Sequence, residues 1–245
     1  AATQAAIDAG APAIFEASFL AGDVFVAVDI LLRTEDGFSL IEVKSSTSVK
    51  DEHIPDAAIQ AWVLRQAGLA IRTVQIMHLS KEYRHPGHGD LRVQEDVTAR
   101  VEAFLPSVPE LVAEQLQTIA GPLPERAIGL HCFEPRECPF HHRCWPDDPQ
   151  HISTLYLAGP KKTASYLHSG VHRIPDIPPG TRLPEVAQRQ VRALKAGHLI
   201  VEPGLGLALV PFESPLGFLD FETVSRAVPV WDGLAPWQQS CAQFS

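Results

Sequence analysis

The hydrophobic pattern sets out the first half of the chain element by element. Residues 3–9 close a helix. Residues 12–20 (PAIFEASFL) and 23–33 (DVFVAVDILLR) alternate or run apolar around an Ala-Gly-Asp turn. After a second turn, Thr-Glu-Asp-Gly at 34–37, residues 38–46 (FSLIEVKSS) form a third strand. Short turns between apolar-alternating runs predict an antiparallel meander. Residues 54–68 have helical spacing, with Pro55 near the start and Gly68 as the stop. Residues 71–80 (IRTVQIMHLS) predict a buried strand. The order β-β-β-α-β predicts an α/β core with a mixed central sheet and flanking helices.

The rest of the chain is more broken. Residues 81–92 predict a surface loop, and 96–119 a helix interrupted near Pro106 and Pro109. A cysteine-rich stretch follows at 125–150, then short helices to about 204. Pro203-Gly-Leu-Gly predicts a linker, and the apolar phrase from Pro215 opens a further module. The expected organisation is a core over 1–124, the cysteine segment over 125–150, a helical linker over 151–204, and the start of a second α/β module over 205–245.

Composition narrows the class. Of 245 residues, 45% are hydrophobic and 20% charged, ordinary for a folded soluble domain. No apolar run reaches the roughly 18–20 residues of a spanning helix, and no secretion signal is visible. The chain lacks an initiating Met and stops in the strand-like phrase Cys241-Ala-Gln-Phe-Ser245, so a piece of a longer polypeptide is expected. The net charge of −9 argues against coating a polyanion by bulk charge. The charge is uneven, however: residues 120–200 carry the basic excess and most of the histidines. Four cysteines are too few for a disulfide scaffold. Three of them lie close together, which points to metal binding in a reducing compartment, the cytoplasm.

The strongest chemistry sits in the second hairpin. Asp29 lies between Ala27-Val28 and Ile30-Leu31-Leu32, and Glu42 between Leu40-Ile41 and Val43. Neither setting suits a solvated charge, and a carboxylate removed from water is usually paired, protonated or bound to metal. The turn at 34–37 places Asp29 roughly across from Glu42, and Glu42 and Lys44 share a face. Two opposed carboxylates call for a cation between them. Oxygen ligands on a sheet suit Mg²⁺ or Mn²⁺, with Lys44 placed to orient a water or stabilise phosphoryl charge. A Glu–Lys pair on the wet face of an edge strand is the ordinary alternative.

These residues resemble a known family. Asp29-Ile-Leu, a turn, Leu40-Ile-Glu-Val-Lys-Ser-Ser, and a helix with Asp56-Ala-Ala-Ile-Gln60 are similar to the RecB-type branch of the PD-(D/E)XK nuclease superfamily, over about residues 12–80. The resemblance implies a restriction-endonuclease-like core. It implies metal binding by Asp29, Glu42 and the Val43 carbonyl, assistance to the attacking water from Lys44, and a site role for Gln60. Leu64 stands where that family's helix motif has Tyr. Glu16 corresponds to an upstream acidic residue of the family or to a charge on a strand's outer face. His53 is expected as a solvent-facing neighbour of the helix start.

Cys132, Cys138 and Cys144 follow a C-x5-C-x5-C spacing. Thiolates so close suit zinc or an iron–sulfur cluster. The spacing resembles the cysteine triad of RecB-like nucleases that hold a 4Fe–4S cluster, whose fourth cysteine lies upstream of the core. Here no cysteine precedes Cys132, and Cys241 is a distant substitute. Zinc held by the triad with His131, His141 or His142 is an alternative, and unligated thiols another.

Leu219-Asp220-Phe221-Glu222-Thr223 is a second acidic motif, with both carboxylates on one face of a strand. It resembles the first metal-binding motif of DnaQ-like exonucleases, which have an RNase H-like fold. That family's further acidic motifs would lie beyond residue 245, so Asp220 and Glu222 are not expected to form a working exonuclease here. Lys161-Lys162 at a helix start suits a phosphate grip or simply a solvated, basic helix. Together the residues predict a divalent-metal-dependent DNA nuclease with no membrane partner, and the family resemblance implies single-stranded or end-containing DNA as its substrate. A non-catalytic nucleic-acid-binding or cluster-binding module is the alternative.

Overall fold

In the computed structural model, which describes residues 2–245, the antiparallel meander is built from β1 (Ala13–Ala21), β2 (Val24–Arg33) and β3 (Phe38–Val43). Helix α1 (Ala2–Asp8) precedes it, and Arg33 reaches back to the Ile7 and Ala11 carbonyls. From β3 the chain crosses through α2 (His53–Gln66) to β4 (Ile71–Leu79), which pairs parallel to β3. An antiparallel strand β5 (Arg92–Asp96) completes a five-stranded mixed sheet in the order β1-β2-β3-β4-β5. The protein is therefore mixed α/β with helices flanking a mixed sheet.

The β2–β3 turn depends on Gly37. A Cβ there would lie 2.2 Å from the Ala70 carbonyl oxygen, the atom that accepts the Phe38 N–H at 2.8 Å. Only glycine lets the two backbones approach this closely.

Helix α2 is buried almost all round. His53, Ile54, Ala57, Ala58, Gln60, Ala61, Val63 and Leu64 all leave solvent. Its alanines let it lie close against β1, β2 and β4, and its apolar side chains join Leu31, Leu40, Val74 and Ile76 in the core. His53 is thus buried, not solvent-facing, and the Lys50 N–H donates to its Nδ1 at 3.1 Å. The interrupted helix is α3 (Thr98–Phe104) and α4 (Val108–Ala120), separated by a short 3-10 turn carrying Pro106. Strand β5 is the element that sequence pattern misses. Its side chains, RVQED, are polar apart from Val93 and mostly exposed, and it is held by its ladder to β4.

The chain divides into two compact units, Ala1–Pro124 with Phe218–Ser245, and Glu125–Gly217. The second unit contains α5 (His141–Cys144), α6 (Gly159–His168), α7 (Glu185–Ala196) and α8 (Leu205–Leu209). Its core gathers Ile152, Leu155, Tyr166, Ile174, Ile177 and Ala187. The stretch expected as a linker at 203–206 is partly helical, because it runs into α8. In the first unit, residues 218–245 contribute a separate two-stranded hairpin, β6 (Phe221–Val224) with β7 (Ser240–Phe244). No helix among the described residues is long and apolar enough to cross a membrane.

Candidate metal and phosphodiester site

The site lies at the C-terminal end of β3, where β2 parts from it. The β2–β3 ladder runs from Arg33↔Phe38 to Ile30↔Ile41. One residue further it stops, and the Asp29 carboxylate itself accepts the Val43 N–H, at 2.6 Å. Strand β1 is irregular at the same level. Glu16 has φ +52, a left-handed conformation uncommon for non-glycine residues, and drops out of the β1–β2 register. The buried positions change parity at this level in both strands, from Ile14 to Ala17 and Phe19 in β1, and from Val26 and Val28 to Leu31 in β2. A one-residue change of phase swaps the faces of a strand. At this level the Asp29 side chain turns toward β3. Glu16 itself is exposed.

Glu42, only 7% exposed, holds two partners. Lys44 Nζ donates to its Oε1 at 2.7 Å, and Gln60 Nε2 donates to its Oε2 at 2.7 Å. Lys44 also forms an ion pair with Asp56, in the first turn of α2. Asp56 and Gln60 are four residues apart and share a helix face, so α2 presents an acid and an amide to the strand's acid and amine. The structure thus brings together Asp29, Glu42, Val43, Lys44 and Gln60, and adds Asp56. Sequence reasoning passed over Asp56, although its spacing from Gln60 was the available signal.

The electrostatics follow from this packing. Burial raises the Glu42 pKa above the usual carboxylate value. Hydrogen bonds from Lys44 and Gln60 and the charge of Lys44 oppose the rise, and the negative charge of Asp29 adds to it. Burial would lower Lys44, but its bonds to Asp56 and Glu42 outweigh this and hold the amine above its ordinary value. His53 is shifted below its ordinary value by burial first and by the positive charge of Lys44 second.

A dication suits this arrangement in charge. Glu42 and Asp56 both pair with Lys44, and Asp29 adds its negative charge beside Glu42. Gln60 Oε1 is buried without a hydrogen-bond partner, a polar atom that awaits a water or another donor. Its amide nitrogen is committed to Glu42, which fixes the orientation. Each Glu42 oxygen keeps a lone pair beyond its present bond. Among the described residues, no group of three or more His, Cys, Asp or Glu side chains is arranged to hold a metal ion. A dication here would rest on Asp29 and Glu42, with the Val43 carbonyl and water completing its shell. Mg²⁺ commonly keeps several waters in this way. Leu64 points to no site chemistry. It is fully buried in the core, so the position that would carry Tyr serves packing instead.

Cys132 is buried, Cys138 half-buried and Cys144 exposed, and all are free thiols, as is the exposed Cys241. The Cys138 N–H donates to the Cys132 carbonyl at 2.8 Å, which closes the loop between them. The intervening aromatics form their own cluster. His141 stacks on Trp145 at 4.7 Å between ring centroids, Phe133 packs against both, and His151 meets the Trp145 edge at 5.7 Å. A four-ligand set for zinc or iron–sulfur is not assembled here among the described residues.

Asp220 and Glu222 are exposed on the β6–β7 hairpin. Asp220 exchanges two main-chain hydrogen bonds with Ser245, at 2.9 and 3.1 Å, and its carboxylate accepts the Phe221 N–H at 2.8 Å. Among the described residues, no third acid joins them in a metal-binding group. Lys161 lies 3.7 Å from Glu134, and Lys162 sits over the Tyr166 ring at 5.0 Å. Both lysines therefore already have neighbours.

A family described as Domain of unknown function (DUF2779) matches residues 217–245, the segment that forms the β6–β7 hairpin and carries Asp220 and Glu222. No curated protein and no solved structure matches the chain.

Proposed function

We propose that the chain is a divalent-metal-dependent nuclease that hydrolyses phosphodiester bonds in DNA, with its site at Asp29, Glu42, Val43 and Lys44 on a restriction-endonuclease-like core. The observation that carries this reading is the bond pattern at the end of β3. Asp29 is turned from the β2 ladder onto Val43, and the buried Glu42 is held between Lys44 and Gln60. A bound Mg²⁺ or Mn²⁺ would supply Lewis-acid polarisation of a phosphoryl oxygen and favour deprotonation of water.

The protein residues divide the remaining work. Asp29 and Glu42 provide anionic oxygens on a rigid strand pair, so they are preorganised before substrate arrives. Gln60 fixes the Glu42 rotamer and leaves its own Oε1 to accept a hydrogen bond from water. Lys44, kept protonated by Glu42 and Asp56, presents N–H donors to the negative charge that grows on the phosphoryl oxygens. Asp56 anchors that amine from the helix, limiting the directions in which Lys44 can point.

The test is cleavage of end-labelled single-stranded and duplex DNA with Mg²⁺, Mn²⁺ or EDTA. The reading expects metal-dependent cleavage that falls by about 10³-fold or more in Glu42→Gln, Asp29→Asn and Lys44→Met, of the size seen when a preorganised charge is removed. Cleavage unaffected by these changes would refute the assignment. DNA binding without cleavage, equal in wild type and variants, would assign the chain to a non-catalytic binding module.

A further inference from the structure

Trp237 stands far from the site in sequence, yet its indole Nε1–H donates to the Ser45 carbonyl at 2.5 Å, one residue beyond Lys44. The residue is tightly held. Its N–H donates to the Arg226 carbonyl at 2.8 Å, and its own carbonyl accepts from Ser225 Oγ at 2.7 Å. Its φ is +60, a left-handed conformation that a bulky aromatic residue seldom adopts. Disfavoured backbone of this kind persists where its surroundings over-determine it, and it clusters at binding and catalytic sites.

The segment around Trp237 is fastened as well. The His85 N–H donates to the Leu234 carbonyl at 3.0 Å, and the Gly233 N–H to the His85 carbonyl at 2.8 Å. The loop so engaged carries Lys81, Arg84 and His88 together with Glu82 and Asp90, all exposed. Trp237 has nevertheless not been drawn into the core. It is 45% exposed, with its one polar side-chain atom already committed to the backbone. A rigid indole, its polar edge satisfied and nearly half of its surface in water, bonded one residue past a site lysine, has the properties of a base-stacking platform.

We propose that Trp237 is a substrate-positioning residue that stacks on an unpaired base of single-stranded DNA, holding the neighbouring phosphodiester at the Asp29–Glu42–Lys44 site. The inference rests on the nuclease reading for the identity of that site. Duplex DNA hides its base faces, so a stacking residue selects single strands, frayed ends or splayed nucleotides.

The experiment measures binding of a fluorescein-labelled single-stranded oligonucleotide to the cleavage-deficient Glu42→Gln protein with Ca²⁺, alone and combined with Trp237→Phe, Trp237→Leu or Trp237→Ala. A base–aromatic stack corresponds to roughly a 5- to 150-fold change in affinity. The expected result is near-parental binding for Trp237→Phe, a loss of about tenfold or more for Trp237→Leu and Trp237→Ala, and little change on a blunt duplex. Scanning single abasic positions along the oligonucleotide should reveal one that weakens binding only when Trp237 is present, which requires no change to the protein fold. Equal binding by all variants, or a loss in Trp237→Phe as large as in Trp237→Ala, would overturn the proposal, the latter by assigning Trp237 to the Ser45 hydrogen bond alone. The cleavage assay separates the two readings. Metal-dependent cleavage with Trp237-independent binding sinks only this inference. Trp237-dependent binding without wild-type cleavage sinks only the nuclease reading.

Discussion

Glu42 should be a stability liability in the absence of metal, and Glu42→Gln should reveal it. Burial raises its pKa despite the bond to Lys44. The folded state therefore holds its proton to higher pH than the unfolded chain does. Between the unfolded and folded pKa values the native state binds more protons, so stability falls as pH rises through that window. Above that window the ionised carboxylate is a net cost. Glutamine removes the buried charge and keeps an oxygen for Lys44. Its amide nitrogen would face the Gln60 nitrogen, but Gln60 can rotate its amide and offer the unpartnered Oε1. Against this stands the weakened bond to the Lys44 ammonium, since a charge-assisted bond exceeds a neutral one by about 1 kcal/mol. Because burial is the larger influence, the balance favours the variant by on the order of 1 kcal/mol, the scale of stability commonly given up at functional sites. Metal reverses the order. Mn²⁺ at 100 times its Kd adds about 2.7 kcal/mol to a protein that binds it only when folded, and the variant lacks an anionic ligand. The assay is urea denaturation at pH 7 of both proteins, in EDTA and in excess Mn²⁺. Glu42→Gln should be the more stable in EDTA and the less stable in Mn²⁺. A less stable variant in EDTA, or equal stabilisation of both by Mn²⁺, would refute the reasoning.

Three further outcomes follow from the packing. Leu64→Ala should cost about 2–5 kcal/mol, because the side chain is fully buried in the main core, and a shift in urea midpoint below that range would contradict its placement. His53 and His151 both sit below their ordinary pKa of 6.5, chiefly through burial. The unfolded chain therefore takes up protons first as pH falls, and stability should decline below about pH 6.5. His53→Asn should flatten part of that decline, whereas an unchanged pH profile would show that His53 titrates freely. Thiol labelling of the native protein should run fastest at Cys144 and Cys241, slower at Cys138 and slowest at Cys132, following their exposure. Joint protection of Cys132, Cys138 and Cys144, released together by chelation or oxidation, would instead restore the shared cluster that their spacing suggests.

Alternation and turn chemistry made the meander legible, because β1 to β3 are joined by tight turns and β3 is apolar on both faces. The same arithmetic around residues 34–37 set Asp29 near Glu42. It could not show how they meet. At that level β1 and β2 both leave their ladder, with Glu16 left-handed, a local irregularity that strict alternation does not announce. Asp56 was open to sequence reading through its i, i+4 relation to Gln60 but lacked a reason to be singled out until Lys44 was seen to reach it. Strand β5 escaped because RVQED is polar, and its pairing to β4 supplies what its side chains do not. The contact between Trp237 and Ser45 spans 192 residues, beyond any local periodicity. The cysteine spacing suggested a shared ligand set but carried no sign that His141, between the cysteines, and Trp145, just after them, stack on each other.

The central claim is that Asp29 and Glu42 hold a hard dication at the end of β3. Anomalous diffraction from crystals grown with Mn²⁺, collected at the manganese edge, tests it most directly. The account predicts a single strong peak bridging the two carboxylates beside the Val43 carbonyl, lost in Glu42→Gln crystals. Manganese found only elsewhere on the protein, with Glu42 still bound to Lys44 and Gln60 alone, would contradict it.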